Sequence, residues 1–446
     1  MSFIVNQHLF PFNGLLKSMK AALIQPLGSH LFRVPPLGLG YVASMLKRNG
    51  FEVKIFDLNV ENSSLKEIFS LYRPEIVGVS CVVTSVRQTF EITRKLKVLL
   101  PECFVVVGGP YPSIMGEQLL TRHREIDATV VGEGESTVLE LFERLQNEQG
   151  LDGINGLTYR DENRVKRNPP RNSIEPLDSL PFPAREELPM RLYGENAGVI
   201  FTSRGCPYQC IFCSRPVFGR KWRGHSPEYV LEEIENMRRR YGIQCLSFLD
   251  DNFTFDLERA EKILDGMISK NWKLLLYFWN GLRVDHVTRG LLLKMKMAGC
   301  LAINYGVESV DPDVLVNIKK DINLNQVKEV IKLTRECGIK ANIFLMVGNP
   351  GDNMEIVEKV KNFIERVKVD GVHLSMATPL PGTKFWDWVE ENGRWLAHDP
   401  EELLDWPIDD VEDAYSVFET PEFTAEDRVE AYQKIRNLLS NKGLLI

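Results

Sequence analysis

Short apolar segments of strand length alternate with helical segments in two separate series along this chain of 446 residues. The first series lies within residues 20–150 and the second within residues 196–384. Strands of parallel sheets are covered on both faces, so they read as short, continuously apolar runs between helices. The sequence therefore predicts an α/β protein with two parallel sheets. The first is a doubly wound, Rossmann- or flavodoxin-like sheet, and the second is a partial (β/α)6 TIM barrel.

Each series has a definite set of predicted strands. The first series has them at residues 21–25, 53–57, 76–80, 104–108 and 128–132, and the second at residues 199–203, 245–250, 274–280, 302–306, 341–347 and 372–377. Ser226 followed by Pro227 predicts the start of a helix, because serine caps helices and proline favours the first turn. In both predicted architectures, ligands bind at the carboxyl ends of the strands.

Three further segments flank these series. Residues 1–19 are predicted to be an N-terminal arm, and residues 151–195 a proline-rich linker that contains a hairpin at residues 157–160 and 164–167. Residues 385–446 are predicted to form a small, mainly helical cap on the barrel. An acidic run between residues 399 and 413 is expected to be a solvated face of this cap.

Composition excludes several classes of protein. The chain has 54 Lys and Arg against 61 Asp and Glu, a net charge of -7, which argues against a nucleic-acid-binding role. No apolar run approaches the roughly 18 residues of a membrane helix, and the N-terminus lacks the pattern of a signal peptide. We therefore expect no transmembrane segment and a cytoplasmic location. Eight cysteines are too few for a disulfide scaffold.

Three of the cysteines form a CxxxCxxC motif directly after the first strand of the second series: Cys206, Cys210 and Cys213. Thiolates suit iron–sulfur clusters or zinc. A structural zinc ion needs four ligands, and the nearest candidate for a fourth, His225, lies beyond the usual spacing. Three thiolates suit a [4Fe–4S] cluster with one iron left open, while zinc and inert packing remain alternatives. The other five cysteines are expected to pack in the core: Cys81, Cys103, Cys245, Cys300 and Cys337.

This motif, with an aromatic residue before its third cysteine and placed after the first strand of a βα barrel, resembles that of the radical SAM superfamily. The resemblance implies that the three thiolates hold a [4Fe–4S] cluster whose fourth iron binds the amino and carboxylate groups of S-adenosylmethionine (SAM). One electron then cleaves SAM to a 5′-deoxyadenosyl radical. An oxygen-sensitive enzyme and a low-potential electron donor, a flavodoxin or ferredoxin, are further implications.

Segments after the later strands extend the resemblance. They are Asp250-Asp251-Asn252-Phe253, Arg283 with Asp285, the GxES-like Gly306-Val307-Glu308-Ser309, Val347-Gly348-Asn349-Pro350-Gly351, and the PxPGT-like Pro379-Leu380-Pro381-Gly382-Thr383. The fourth of these is implied to lie near the adenine of SAM. The implied SAM-binding residues are Tyr208, Phe212, Asp250, Asn252, Arg283, Glu308, Ser309 and Gly348. Simpler interpretations remain, such as turn glycines or an acidic residue at a helix start.

Four loops of the first series are rich in glycine or hydroxyl side chains and follow strands. In this order they resemble the cobalamin-binding domain that precedes many radical SAM domains. The implied cobalamin-binding residues are Pro36, Leu37, Gly38, Ser80, Cys81, Thr84, Ser85, Gly108, Gly109, Gly132, Glu133 and Gly134. The DxHxxG motif of cobalamin-dependent mutases is absent from the sequence, so no histidine is expected below the cobalt. A purely structural domain remains the alternative.

Together the two resemblances point to the class B radical SAM methyltransferases. They imply that SAM methylates cob(I)alamin, and that a second SAM provides the radical that abstracts hydrogen from an unactivated carbon, which then takes the methyl group from methylcobalamin. The alternative is a non-methylating oxidative cyclase, similar to the anaerobic magnesium-protoporphyrin monomethyl ester cyclase, or a ring-rearranging enzyme. A tRNA methylthiotransferase lacks support because it needs a second cysteine triad, and a non-catalytic sensor would not need the later barrel segments. The substrate, a small molecule, lipid or peptide, is not indicated by any residue.

Overall fold

The computed structural model describes residues 19–28, 33–61, 64–396 and 415–446. The chain divides into two compact units, the first made of residues 1–175, 179–193 and 216–218 and the second of residues 176–178, 194–215 and 219–446. Nearly all of the predicted N-terminal arm and the whole acidic run at 399–413 lie outside the described residues. The predicted α/β class is confirmed in both units.

The first unit contains one seven-stranded sheet. Its strands are β1 (Lys20–Gln25), β2 (Glu52–Asp57), β3 (Ile76–Ser80), β4 (Phe104–Gly108), β5 (Ala128–Val130), β6 (Leu157–Asp161) and β7 (Arg164–Arg167). The order is β2-β1-β3-β4-β5-β6-β7, with β1 to β5 parallel. Its helices are α1 (Leu37–Arg48), α2 (Leu65–Tyr72), α3 (Val86–Leu99), α4 (Pro110–Arg122) and α5 (Glu135–Gln146). The parallel order 2-1-3-4-5 is flavodoxin-like, as predicted.

The predicted hairpin forms, but it is not part of a separate linker. Its strands β6 and β7 continue the sheet in antiparallel fashion, with Ala128 of β5 paired to Tyr159 of β6. A boundary at residue 150 therefore divides one sheet. The physical reason is that β5 has backbone N–H and C=O groups along its outer edge that need partners, and the hairpin provides them.

The second unit contains six parallel strands in sequence order around a partial barrel. They are β8 (Val199–Ile200), β11 (Cys245–Phe248), β12 (Leu275–Phe278), β13 (Ala302–Glu308), β14 (Lys340–Val347) and β15 (Gly371–Met376). Between β8 and β11 in sequence lies a short antiparallel pair, β9 (Ser203–Arg204) and β10 (Arg223–Gly224). The strands form two groups of three, β8-β11-β12 and β13-β14-β15. Single bridges from Leu276 to Cys300 and from Leu282 to Tyr305 join the groups, so the predicted partial barrel is confirmed.

One predicted strand of the barrel is wrong in extent. Residues 199–203 were expected to form a single strand, but the chain leaves the barrel after Ile200 and pairs with β10 from Ser203 onwards. The cause is Thr202, whose backbone N–H donates to Asp250 Oδ2 at 3.2 Å instead of to a neighbouring strand.

Helices separate the barrel strands and lead into the C-terminal region. They are α6 (Pro227–Tyr241), α7 (Leu257–Ser269), α8 (Arg289–Ala298), α9 (Pro312–Asn317), α10 (Leu324–Glu336), α11 (Ile356–Arg366), α12 (Lys384–Asn392) and α13 (Ala425–Asn441). Ser226 caps α6 as predicted, with its side chain accepting a hydrogen bond from Tyr229 N at 3.1 Å.

The C-terminal region is more than a helical cap. Its described part includes the paired strands β16 (Arg394–Trp395) and β17 (Phe418–Glu419) as well as α12 and α13. The last residues then lie beside β15, where Ile446 N donates to Val372 O at 3.1 Å. This region therefore completes the free edge of the barrel in addition to covering it.

Two predictions concern the chain as a whole. The five cysteines expected in packing are all buried: Cys81, Cys103, Cys245, Cys300 and Cys337. Among the helices of the described residues, none combines the length and apolar character needed to cross a bilayer. The cytoplasmic location stays a prediction.

Candidate active site

The cysteine motif lies on a loop that is held closed at its base. The two strands on either side of it pair with each other, Arg204 with Arg223 and Ser203 with Gly224. Gly205, with φ +83°, starts the loop, and a Cβ there would lie 2.4 Å from Lys221 O, so only glycine fits. The cysteine motif therefore starts from a closed base, where Gly205 passes close to the backbone of Lys221.

The middle of the loop is anchored in an apolar core. Ile211 is buried in a cluster with Val314, Phe385 and Phe418. Its backbone N donates to Ile318 O at 3.1 Å, and its carbonyl accepts from Phe385 N at 3.1 Å. Phe212, one of the predicted SAM residues, packs against the same cluster. Contacts from the segment that follows β13 and from the C-terminal region therefore hold the middle of the cysteine loop in place.

The three cysteine side chains differ in exposure. Cys206 and Cys210 are buried, whereas Cys213 is exposed as a residue. Burial of its sulfur raises the pKa of Cys213 to about 11, with a contrary effect from Arg215 and supporting effects from Cys210, Asp251 and Cys206. A free thiol is therefore favoured, and a bound cation is needed to stabilise the thiolate.

The donor set fits a cluster better than a single ion. Within the described residues, no three His, Cys, Asp or Glu side chains converge on one metal position. In a cubane each thiolate binds a different iron, so the three sulfurs are not required to meet at a point. His225, the nearest candidate in sequence for a fourth zinc ligand, is buried, with its Nδ1 2.9 Å from Asp178 Oδ1.

Asp250 and Asp251 support the base of the cysteine loop. Asp250 Oδ1 accepts from the Thr202 hydroxyl at 2.7 Å and also from the Ser203 hydroxyl. Asp251 Oδ2 accepts from Gly205 N at 3.1 Å. Burial raises the pKa of both carboxyls, and these hydrogen bonds oppose the increase. Asp250 was predicted to bind SAM, but both of its carboxylate oxygens accept hydrogen bonds from the protein itself.

Asn252 has the opposite character. Its backbone carbonyl accepts from Trp222 Nε1 at 3.1 Å, but its buried Nδ2 has no hydrogen-bond partner among the residues described. A buried amide donor without a partner is costly unless a ligand completes it. Of the two predicted side chains after β11, Asn252 is therefore the one with a free donor.

Arg283, after β12, clamps Tyr208 of the cysteine loop. Its guanidinium lies 3.5 Å from the centroid of the Tyr208 ring and donates to both oxygens of Asp285 at 3.0 to 3.1 Å. The Tyr208 hydroxyl donates to Asp285 Oδ2 at 3.0 Å and lies 2.6 Å from His286 Nε2. Burial raises the pKa of Tyr208 to about 12, and the charge of Asp285 adds to the effect. Both predicted SAM residues are therefore partnered within the protein.

Glu308 ends β13 in a backbone conformation with φ +69°, and the strand register shifts between Gly306 and Glu308. Its carboxylate lies 2.9 Å from Lys320 Nζ. Ser309 Oγ accepts from Asp311 N at 3.2 Å, which links the next turn to the start of α9. Lys320 was not predicted from the sequence, because a single lysine twelve residues after Glu308 has no local pattern.

Gly348 follows β14 with φ +95° and is held on two sides. Its N–H donates to Asp352 Oδ2 at 2.9 Å, and its carbonyl accepts from Arg428 Nη1 at 2.8 Å. Neither Asp352 nor Arg428 was predicted.

In the first unit, the residues predicted to bind cobalamin lie together at one edge of the sheet, at carboxyl ends of strands or at the starts of the following helices. They are Pro36, Leu37 and Gly38 at α1, Ser80 at the end of β3 with Cys81, Thr84 and Ser85 after it, Gly108 and Gly109 at the end of β4, and Gly132, Glu133 and Gly134 after β5. The parallel sheet brings these four loops to the same edge.

Several of these residues have structural partners. Cys81 is fully buried, its N–H donates to Gly108 O at 2.8 Å, and burial raises the pKa of its thiol to about 12. Gly109, with φ +112°, passes so close to Cys81 O that a Cβ would lie at 2.9 Å. The Ser85 hydroxyl donates to Val82 O at 3.2 Å within its own turn, and Glu133 accepts from Ile174 N at 2.7 Å.

Gly38 is different because no described residue accounts for it. It is exposed at the start of α1, and among the residues that the structure describes a Cβ there would meet no atom within 4 Å beyond its neighbours in the chain and the backbone of its own helix. Glycine in a helix costs about 1 kcal/mol relative to alanine. Close approach of a ligand to the backbone is a physical reason for it, so this edge fits a bound cofactor.

Comparison with known proteins gives two family matches. The B12 binding domain matches residues 27–142, and the Radical SAM superfamily matches residues 200–364. An uncharacterised methyltransferase of Pyrococcus horikoshii is 35% identical over 394 residues, covering 85% of this chain and 85% of the relative. The cytidylyl-2-hydroxyethylphosphonate methyltransferase of Streptomyces wedmorensis is 27% identical over 431 residues, covering 83% of this chain and 80% of that protein.

A solved structure shares the fold over almost the whole chain. The radical S-adenosylmethionine methyltransferase TsrM of Kitasatospora setae, with cobalamin and a [4Fe–4S] cluster bound, has a TM-score of 0.79 at 19% identity. The similarity covers 96% of this chain and 91% of that one. The two-unit architecture is therefore that of a known fold.

Proposed function

The chain belongs to the radical SAM superfamily, in the group with a B12-binding domain and methyltransferase relatives, and on this basis we propose that it is a C-methyltransferase acting on an unactivated carbon. Its cofactors are a [4Fe–4S] cluster, SAM and cobalamin. When bound, they supply the 5′-deoxyadenosyl radical and the methyl group that such a reaction needs. The observation that carries the proposal is the presence of both cofactor domains on one chain with a methyltransferase 35% identical over 394 residues.

We propose that Cys206, Cys210 and Cys213 each hold one iron of the cluster. The support is that the three thiols share one loop, whose two ends pair with each other. An iron without a protein ligand leaves room for SAM. The substrate is proposed to be a small molecule, and the reductant a flavodoxin or ferredoxin.

The protein's own contribution around SAM is proposed to divide into two sets of residues. Asn252, with its unpaired buried amide, and the Glu308–Lys320 pair have groups suited to the polar ends of SAM. Asp250 and the Arg283–Tyr208 clamp have their polar groups engaged within the protein, so they are proposed to hold the cysteine loop and the barrel rim in place. Phe212, Ser309 and Gly348 are proposed to lie at the edge of the same site.

For cobalamin, we propose that the contact edge is formed by the backbone at Gly38 and by the loops after β3, β4 and β5, which begin at Ser80, Gly108 and Gly132. Support comes from the open space over Gly38 and from the shared edge of the four loops. Because Cys81 is fully buried with a thiol of raised pKa, its side chain is proposed to pack within the unit rather than to bind cobalt.

The function can be tested before the substrate is known. The protein is reconstituted anaerobically with iron, sulfide and cobalamin, the cobalamin is reduced, and SAM with a deuterated methyl group is added. Methyltransferase function predicts about one S-adenosylhomocysteine per bound cobalamin, with the label on the corrinoid. A cyclase or ring-rearranging enzyme would give 5′-deoxyadenosine without this transfer, and that result would contradict the proposal. Cys210→Ala, which removes one cluster ligand, is the matched control and should form no 5′-deoxyadenosine.

A further inference from the structure

A fully buried arginine of the C-terminal region contacts the loop after β14. Arg428 lies in the first turns of α13 and is only 1% exposed. Its Nη1 donates to Gly348 O at 2.8 Å and its Nε to Phe423 O at 3.1 Å. The guanidinium lies 3.8 Å from the centroid of the Phe418 ring. The side chain is therefore fixed by stacking and by backbone carbonyls from two different segments.

The loop it contacts needs outside support. Gly348 and Asn349 both donate their N–H groups to Asp352 Oδ2 at 2.9 Å, which makes a tight turn. In the part of the chain that the structure describes, Asp352 Oδ1 and Asn349 Oδ1 are buried without hydrogen-bond partners. Buried acceptors without partners destabilise the turn, so its internal hydrogen bonds alone hold its conformation weakly.

Arg428 and Gly348 fit each other closely. A Cβ on Gly348 would lie 2.5 Å from Arg428 Nη1, so the glycine is required by the arginine as well as by its own φ of +95°. Burial lowers the pKa of Arg428 to about 10, and the charge of Asp352 opposes this effect. A buried cation without a directly bonded carboxylate is destabilising compared with an apolar side chain of similar size. Stability alone therefore does not explain an arginine at this position.

We infer that Arg428 is a positioning residue for SAM. It holds the carbonyl of Gly348, and with it the turn Gly348–Asp352, in the conformation that receives the adenine. The inference rests on the proposed placement of the adenine of SAM at this turn. It assigns the described C-terminal region, residues 415–446, to the SAM site as well as to the edge of the barrel.

The test compares three variants of the full chain with its cluster reconstituted. Arg428→Met removes the hydrogen bonds and keeps the apolar volume, and Arg428→Lys keeps the charge without the planar fork. Ile435→Ala removes a fully buried side chain seven residues further along the same helix and leaves Arg428 and its hydrogen bonds in place. Loss of a charge-assisted hydrogen bond changes an equilibrium constant by about tenfold or more, which sets the scale of the effect on the turn and, through the turn, on the affinity for SAM.

We expect Arg428→Met to raise the Kd for SAM about tenfold and Arg428→Lys to raise it less. Ile435→Ala should leave the Kd within about twofold even though it lowers the melting temperature more. Iron content should be unchanged in all three. Equal SAM affinity in Arg428→Met and the wild type would overturn the inference. So would an equal loss of affinity in Arg428→Met and Ile435→Ala, since it would reflect general destabilisation.

Hydrogen exchange gives a second measurement that does not require SAM binding. The amides of Gly348 and Asn349 should exchange faster in Arg428→Met than in Ile435→Ala. Unchanged protection of these amides would show that Arg428 does not hold the turn. Failure of the wild type itself to bind SAM would instead contradict the proposed function, while the exchange result would still report on Arg428.

Discussion

Lys320 Nζ lies 2.9 Å from Glu308 Oε1, and both side chains are buried, one on the last residue of β13 and the other after α9. Removing one partner of a buried ion pair leaves an unpaired charge, which costs about 3 to 5 kcal/mol. Lys320→Met is therefore expected to lower the free energy of unfolding by about 3 kcal/mol.

The control for this pair is a double-mutant cycle. Glu308→Gln should cost less than Lys320→Met, because the amide can still accept a hydrogen bond from the lysine. The double variant should lose less free energy of unfolding than the two single variants lose together, as measured by denaturant unfolding of the apoprotein. Strict additivity would show that the two charges do not interact.

The cysteines provide the second prediction. Alanine at Cys206, Cys210 or Cys213 should each abolish the [4Fe–4S] cluster, read as iron and sulfide content and as absorbance after anaerobic reconstitution. Cys337→Ala and Cys81→Ala remove buried thiols outside the motif and should keep the full iron content. If a motif variant retains four irons per chain, the assignment of that cysteine as a ligand is wrong.

Asp352 predicts a dependence of stability on pH. Burial raises its pKa to about 7 in the folded chain, against the opposing effect of the Asn349 and Gly348 N–H groups and of Arg428. The folded state therefore keeps its proton where the unfolded state has lost it, so the contribution is present below about pH 4 and is lost progressively as the pH rises to 7. The loss is on the order of 4 kcal/mol.

The measurement for Asp352 is the difference in unfolding free energy between the wild type and Asp352→Asn, which cannot titrate. The free energy of unfolding of the wild type should fall relative to that of Asp352→Asn between pH 5 and pH 7. Above pH 8 the difference between the two should be constant. A difference independent of pH across this range would show that the carboxyl is ionised throughout.

Gly38 and Gly109 give a matched pair of predictions in the first unit. Gly38→Ala should leave stability unchanged or increase it by up to about 1 kcal/mol, because alanine is the better helix former and the space is free. It should nevertheless weaken binding of cobalamin, measured by absorbance titration. Gly109→Ala should instead destabilise the unit, since φ is +112° and Cys81 O lies in the way. Full cobalamin affinity in Gly38→Ala would remove Gly38 from the contact edge.

The sequence was sufficient where the signal is local. The strand β3 and the cap at Ser226 occur as predicted, because burial and capping depend on neighbouring residues. The end of the first barrel strand was missed, since Thr202 bonds to Asp250, 48 residues later. Partners of buried charges are equally distant: Lys320 is 12 residues from Glu308, and Arg428 is 80 residues from Gly348. No spacing rule connects such pairs, because the tertiary fold alone brings them together.

The hairpin that continues the first sheet also determines how that sheet meets other molecules. Its outermost strand β7 reads Arg164-Val165-Lys166-Arg167, so the exposed edge carries three cations. Charged side chains on an edge strand discourage pairing with strands of other chains. A fragment ending at residue 150 would lose this protection and present β5, an apolar strand, as its edge. Such a fragment is expected to aggregate, whereas one extended through residue 175 should remain dispersed.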